Sequence, residues 1–464
     1  MDLNVPLIPL LPFRKYKRNH DQRGRFTTRD SAPVTSDAWD VKPDTKPSGD
    51  RMTPGSFNPS PMTDDEYARH LKHVEEELAL AEKMKMPDTQ QQFDMIDGKE
   101  NIYSEARSKI HDQIIADYMD SIKDVPRDHK GIIMAGLGGA GKSSSLAKNA
   151  QSPDSVAGRM GIKFASYDAD GNGVGDPINF AVLNPDNLKE QFARLKMIPK
   201  VDHLSPMESS TFAHEETSWL SKTIAAKVVA KGYNAIWDIT MEGQKAGTKK
   251  GDEMKDKGYS LSCVLVDVPV QQSLDSAAFR HRKGQDNWNK GQGQGGRYVP
   301  SFKQKGSTDP EGKYQSINAN AAYTLAQNGY FDKFIAIDNK QVTGPDGKKI
   351  WPGRMKDLLG FGKDDTMTAP RTRSMTKASD TSDITAACRR YHDGKISFDQ
   401  LSSILDRRYA KPVRSDEGNR MHTSWESDDW ATPGSWDEVV MANADGLISD
   451  DELAAIRSMV LKRK

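Results

Sequence analysis

The octapeptide GLGGAGKS, Gly136–Ser143, satisfies the pattern G-x-x-x-x-G-K-[ST]. It follows the apolar run GIIMA and precedes SSSLAKNA, so the expected context is a strand, a tight loop and a helix. Glycines let backbone N–H groups turn inward around phosphate oxygens, and the helix start adds its positive dipole end. Gly136, Gly138, Gly139, Ala140, Gly141, Lys142, Ser143 and Ser144 form the expected nucleotide cradle. Lys142 is the group expected to reach the β- and γ-phosphates of ATP (or GTP), and the Ser143 hydroxyl is the expected Mg²⁺ ligand.

A phosphate loop alone does not name the acceptor of the phosphoryl group. A motor ATPase usually ends an apolar strand in Asp-Glu, but here Asp267 is followed by Val and Asp238 by Ile. A guanine reader of the form Asn-Lys-x-Asp is also lacking, since NKGQ at Asn289 and NKQV at Asn339 have no Asp. Transfer to a bound hydroxyl gains weight by elimination. Such transfer needs a carboxylate at the acceptor and cations around the moving phosphoryl. INFAVLN runs into PDNLKEQF and places Asp186 at a strand-to-helix corner, where α/β sheets hold their ligands.

The order GLGGAGKS, LNPDNLKE, HEETSWLSKTIAAKVVAKGYNAIWDIT, a basic segment and then GGRYVP resembles the zeta-toxin family of P-loop kinases over about residues 130–340. The resemblance implies ATP-dependent phosphorylation of UDP-N-acetylglucosamine on a sugar hydroxyl. It makes Asp186 the catalytic base, with Lys189 in the basic position after it. Asp238, Ile239 and Thr240 align with the family's acid-Gly-Thr substrate motif, with Asp for the usual Glu and Ile for Gly. Glu215, or Glu216 beside it, at the start of a long helix is a further candidate for the acceptor, although the helix dipole alone favours acids there. Arg280, Arg282 and Arg297 are the candidate lid arginines, of which the reading selects Arg282 and Arg297 as catalytic. A guanidinium can fork γ-phosphate oxygens as charge shifts. The family also implies a small antitoxin partner, whose place an internal segment could take. Separately, the extended form of several segments resembles zeta-type proteins encoded by phages, and HDQRGRF resembles tails of phage head-gene products, so a phage origin with virion components as partners is a further expectation. Two alternatives stand beside this reading. One is a P-loop kinase of another small molecule or a polynucleotide end, and the other is a non-catalytic nucleotide-binding module of a phage particle.

The elements that must position these groups are legible as pattern. GIIMAG, INFAVLN, NAIWDI, SCVLVDVPV and KFIAIDN alternate with helical stretches, which predicts an α/β core with a parallel sheet over 128–345. Residues 1–60 read as a disordered tail, 61–127 as a helical preface opened by Thr63 and Glu66, and 346–382 as a linker. In 383–464 two D-G-x-I-S-x-x-[EQ]-L repeats invite a calcium-loop reading. Met441 and Arg389 fall at the first loop position, so helical hairpins capped at Ser397 and Ser449 are expected instead. DADGNGVGD, from Asp168, reads as a Gly/Asp loop for a similar reason, Asn179 standing at the twelfth position.

The balance of the chain fits a cytosolic enzyme. With 66 basic and 66 acidic residues the formal charge is zero, which argues against a nucleic-acid coat. Two cysteines are too few for a disulfide framework. No apolar run reaches the length of about 20 residues that a bilayer requires.

Overall fold

The computed structural model describes residues 61–95, 100–299, 314–343, 383–409 and 434–462, with short pieces at 19–20, 26–27, 308–309, 312, 349–350 and 354–355. The disorder expected for 1–60 and the linker expected at 346–382 lie almost wholly outside these residues.

The core is one twisted sheet. Its strands are β1 Lys130–Ala135, β4 Ala181–Leu183, β5 Ala235–Asp238, β6 Ser260–Asp267, β7 Lys333–Asp338 and β8 Arg354–Met355. The spatial order is β8-β7-β6-β1-β5-β4, with every pair parallel except β8 with β7. A separate antiparallel pair, β2 Phe164–Tyr167 and β3 Gly173–Pro177, precedes β4. The DADGNGVGD loop joins that pair, and Asp168 Oδ1 closes the turn by accepting from the N–H groups of Asp170 (3.0 Å) and Asn172 (2.9 Å).

The sheet is buried on both faces, as its continuous apolar strands require. Along β1, Ile132 and Met134 point to one side with Ile236, Val264, Val266 and Ile337. Ile133 and Ala135 point to the other with Trp237, Cys263 and Leu265. The first face is covered by α4 Lys142–Ala147 and α5 Val156–Met160. The second is covered by α3 Glu105–Ser121, α6 Pro185–Arg194, α7 His214–Ala230, α8 Gln244–Asp256 and α10 Ile317–Gln327. From β1 the chain goes to β4 and β5 on one side, then crosses to β6 and β7 on the other. This reversal at β1 is a topological switch point, and it opens a crevice at the strand C-termini.

The helical preface contains α1 Asp64–Lys83, α2 Thr89–Phe93 and α3. Thr63 and Glu66 form the expected capping box at the start of α1. Inside the protein, Glu216 of α7 accepts from Arg107 Nε (2.7 Å) and Nη2 (2.8 Å) and lies 2.7 Å from His111 Nε2. Glu216 and Arg107 are essentially inaccessible to solvent, so this triad is a strut that fixes α3 to α7.

The C-terminal segment makes two hairpins, α11 Asp383–His392 with α12 Phe398–Tyr409, and α13 Trp436–Ala444 with α14 Asp450–Lys462. Gly394 and Gly446 end the first helix of each with positive φ, at 70° and 77°. Ser397 pairs with Gln400 and Ser449 with Glu452 in capping boxes. The hairpins share a core with Ile102 and Trp219. They are tied down by Lys227 to Asp450 (2.8 Å) and Arg457 to Asp112 (2.8 Å).

Candidate active site

The phosphate loop turns directly off β1. Gly136, Gly139 and Gly141 have φ of 135°, 91° and 87°, which side chains rarely tolerate. A Cβ on Gly136 would sit 2.4 Å from the carbonyl oxygen of Val266, and one on Gly139 would sit 2.9 Å from that of Ser273. The loop is also held from outside. Ser273 Oγ donates to the Gly138 carbonyl at 2.6 Å, and Asn339 Nδ2 donates to that of Ala140 at 2.8 Å. These two bonds occupy carbonyls on the outer side of the turn. Ser143 and Ser144 are exposed in the first turn of α4.

A polar chain runs from this loop across the switch point. Lys142 Nζ donates to the Gly136 carbonyl at 2.9 Å and lies 3.4 Å from Asp238 Oδ1, at the end of β5. Asp238 Oδ2 accepts from Asn184 Nδ2 at 3.1 Å. Asn184 caps α6, its Oδ1 accepting from the Asp186 N–H at 2.9 Å. Asp186 in turn accepts from Arg297 Nη1. Four segments (the phosphate loop, β5, the start of α6 and the loop after α9 Val270–Asn289) thus meet in one cleft.

The two carboxyls differ in electrostatics. Desolvation by the surrounding protein pushes Asp186 up, although about half of its side chain is exposed, but the positive charges of Arg297, Lys189 and Arg280, with the Arg297 hydrogen bond, overcome it and hold the carboxyl at about 2. For Asp238 burial wins. Its pKa is raised despite Lys142, and the charge of Asp186 pushes the same way. Two like charges in a shared cleft push each other's titrations apart in this manner.

Of the residues expected from sequence, Lys142, Asp186, Lys189, Asp238 and Arg297 are brought together. Lys189 lies one turn after Asp186 and is 2 % exposed. Thr240 adjoins the group through its backbone, its carbonyl accepting from Gly136 N–H (3.4 Å) and Asn318 Nδ2 (2.6 Å). Glu215 is not brought to the cleft; its charge bears on Asp88 and Lys222. Nor is Arg282, whose Nη1 lies 2.6 Å from Asp64 Oδ1, and which also donates to the Met62 carbonyl. It is spent fastening α1 to α9. Arg280 faces the cleft instead, where its charge acts on both Asp186 and Asp238. The reason is helical phase. Residues 270–289 are one continuous helix, so two positions along it point about 200° apart.

Sequence reasoning passed over Asn184 and Ser273, and weighed Asn339 only as part of a guanine reader. Asn184 carried a readable signal, because Asn before Pro185 is a helix cap followed by proline at its first position. Ser273 and Asn339 carried none, since they reach the loop only through the fold.

The family model described as zeta toxin matches residues 174–327. That span begins after the phosphate loop and contains Asn184, Asp186, Asp238, Arg280 and Arg297. A search of curated proteins gives no match. Among solved structures, the chain is similar to one from the PezAT chromosomal toxin–antitoxin system of the human pathogen Streptococcus pneumoniae. The identity is 13 %, over 54 % of this chain and 81 % of that one, with a TM-score of 0.33. It is also similar to AvrRxo1-ORF1:AvrRxo1-ORF2 with sulphate ions, at 15 % identity over 76 % and 93 % of the two chains and a TM-score of 0.36. AvrRxo1-ORF1:-ORF2 with ATP gives 14 %, 76 %, 93 % and 0.36.

Proposed function

We propose that this chain is an ATP-dependent kinase of the zeta-toxin type that phosphorylates a hydroxyl of a sugar nucleotide, with UDP-N-acetylglucosamine the first candidate. The observation that carries the reading is the Lys142–Asp238–Asn184–Asp186–Arg297 chain. It joins a phosphate loop to an ionised carboxylate across a topological switch point. The match to the zeta toxin model over 174–327 supports it, and through that family a small antitoxin is the partner class to seek.

The loop suits a polyphosphate. Three glycines at positive φ let the chain turn tightly against Val266, Ser273 and Asn339, and Lys142 stands beside the loop. ATP would supply the γ-phosphoryl group, and Ser143 is the residue that would hold a Mg²⁺ ion, whose charge would offset that of the phosphates. Asp186 receives the acceptor hydroxyl. A carboxylate held at about 2 is a weak base but a permanent hydrogen-bond acceptor. That is sufficient where the transition state is loose and the nucleophile chiefly needs orienting. Arg297 and Arg280 supply positive charge beside it, and Lys189 keeps the carboxylate ionised from behind.

The direct test is transfer of labelled γ-phosphate from ATP to UDP-N-acetylglucosamine. Arg280→Ala and Arg282→Ala form a paired control, and only the first is expected to lower kcat by about 10-fold or more. Absence of product on any sugar nucleotide, with ATP still bound, sinks the proposal.

A pH profile tests the role of Arg297. Its charge depresses Asp186, so the wild-type carboxylate stays ionised throughout the range of about pH 5–8 and imposes no acid limb there. In Arg297→Gln the burial effect is less opposed and the pKa of Asp186 rises. The variant's kcat/KM should therefore begin to fall at higher pH than that of the wild type. Superimposable profile shapes would show that Arg297 does not set this ionisation.

A further inference from the structure

Three segments far apart in the chain meet at a second polar knot, outside the kinase cleft. His70 lies on α1, Glu208 in the turn before α7, and His281 on α9. Glu208 Oε1 is 2.6 Å from His70 Nε2 and 3.0 Å from His281 Nε2, and the three atoms lie within 4.8 Å of one another. The side chains of Glu208 and His281 are buried, and that of His70 is 10 % exposed.

The surrounding hydrogen bonds fix where the protons are. Tyr67 OH lies 2.9 Å from the Ala278 carbonyl and 3.0 Å from His281 Nδ1. A carbonyl can only accept, so the phenol proton lies toward Ala278 and the Tyr67 oxygen takes Nδ1–H of His281. A neutral His281 therefore aims the Nε2 lone pair at Glu208 Oε1. Two lone pairs facing each other at 3.0 Å require a cation between them. The other carboxylate oxygen is already filled, because Glu208 Oε2 accepts from Ser205 N–H (2.8 Å) and Ser205 Oγ (2.7 Å). Oε1 is left as the coordinating atom.

We propose that His70 Nε2, His281 Nε2 and Glu208 Oε1 form a site for a divalent cation of the zinc class that pins α1 to α9. Two imidazoles and one carboxylate suit zinc, cobalt or nickel rather than Mg²⁺, which prefers an all-oxygen shell. Such bonds run about 2.0–2.1 Å, so shifts of about an ångström seat the ion among these atoms. Tyr67 and Ser205 are its outer supports, orienting one imidazole and the carboxylate. The site also borders the segment that carries Arg297. A Cβ on Gly295 would meet Ser205 Oγ at 2.0 Å, and the ring of Tyr298 packs edge-on to His281 at 5.8 Å. The ion would thus steady the short segment that presents Arg297. The rival occupant is a proton, which would make His281 an imidazolium donating to Glu208.

The test uses the full chain, stripped with a chelator and titrated with Co²⁺ in the absence of nucleotide. One equivalent should bring up visible ligand-field bands, and Zn²⁺ should displace them and raise the melting temperature. Glu208→Gln and His281→Ala should each lose the bands. Tyr67→Phe keeps all three ligands and should bind about 10–100-fold more weakly. Absence of bands, with a melting temperature indifferent to Zn²⁺, overturns the proposal. So does a melting temperature that follows pH but ignores metal, which is the signature of the proton-held knot. Bands that survive in His281→Ala overturn it as well, because they would place the ion elsewhere.

Discussion

Asp186→Asn is expected to lower kcat by about 10²–10⁴-fold while leaving the Kd for ATP within about twofold. The asymmetry follows from geometry. The phosphate loop is built by Gly136–Ser143 and held by Ser273 and Asn339, none of which touches Asp186. The cap contact from Asn184 goes to the backbone N–H of residue 186 and survives the change. What is lost is the negative acceptor and the partner of Arg297. Arg297 keeps about a quarter of its side chain exposed, so losing that partner should cost stability no more than about 1 kcal/mol. Paired calorimetry and single-turnover kinetics read the two halves separately. A loss confined to ATP affinity would place Asp186 in the nucleotide site and sink its role at the acceptor.

Glu216→Gln is expected to cost about 3–5 kcal/mol, because it leaves Arg107 charged, buried and without its anion. With about 2–4 °C per kcal/mol for larger domains, the melting temperature should fall by about 6–20 °C. Burial raises Glu216, yet the hydrogen bonds and charges of Arg107 and His111 bring it down from 4.5 to about 2. Its contribution is therefore complete above about pH 4.5 and is lost as acid takes the pH toward 2. Replacing Glu216, Arg107 and His111 together by apolar residues of similar size should recover part of the loss, since a matched apolar cluster leaves no unpaired charge. A melting curve for Glu216→Gln that overlays the wild type would mean that the triad contributes little.

The strand, glycine turn and helix over 130–147, the five parallel strands and the capped hairpins could be read from sequence because each depends on residues close together in the chain. Ser397 with Gln400 and Ser449 with Glu452 are local pairs that fold themselves. The cleft was half legible. Asp186 and Asp238 lie at strand ends, which is where the α/β pattern directs attention. The relative phase of Arg280 and Arg282 was not legible because GQDNWNKGQGQGG looks like loop, whereas the helix continues to Asn289 and sets the direction of both arginines. Glu215 and Glu216 show the same limit. Adjacent acids at a helix start look equivalent until packing buries one against Arg107. The knot at His70, Glu208 and His281 was invisible, because its members are separated by 138 and 73 residues and none carries a motif.

The seam between Trp219 and the hairpins has a consequence during synthesis. Trp219 packs against the cluster that includes Trp436, Val439 and Val460. At about 5–20 residues per second, a ribosome needs roughly 10–45 s to travel from Trp219 to Trp436. Until then Trp219 has its neighbours Tyr103 and His111, at ring distances of 5.2 and 5.3 Å, but not the apolar side chains of α13. α14 follows later still, with Arg457 reaching back to Asp112. A chain stopped anywhere before α13 therefore lacks the cover that Trp436, Val439 and Val440 give to that side of α7.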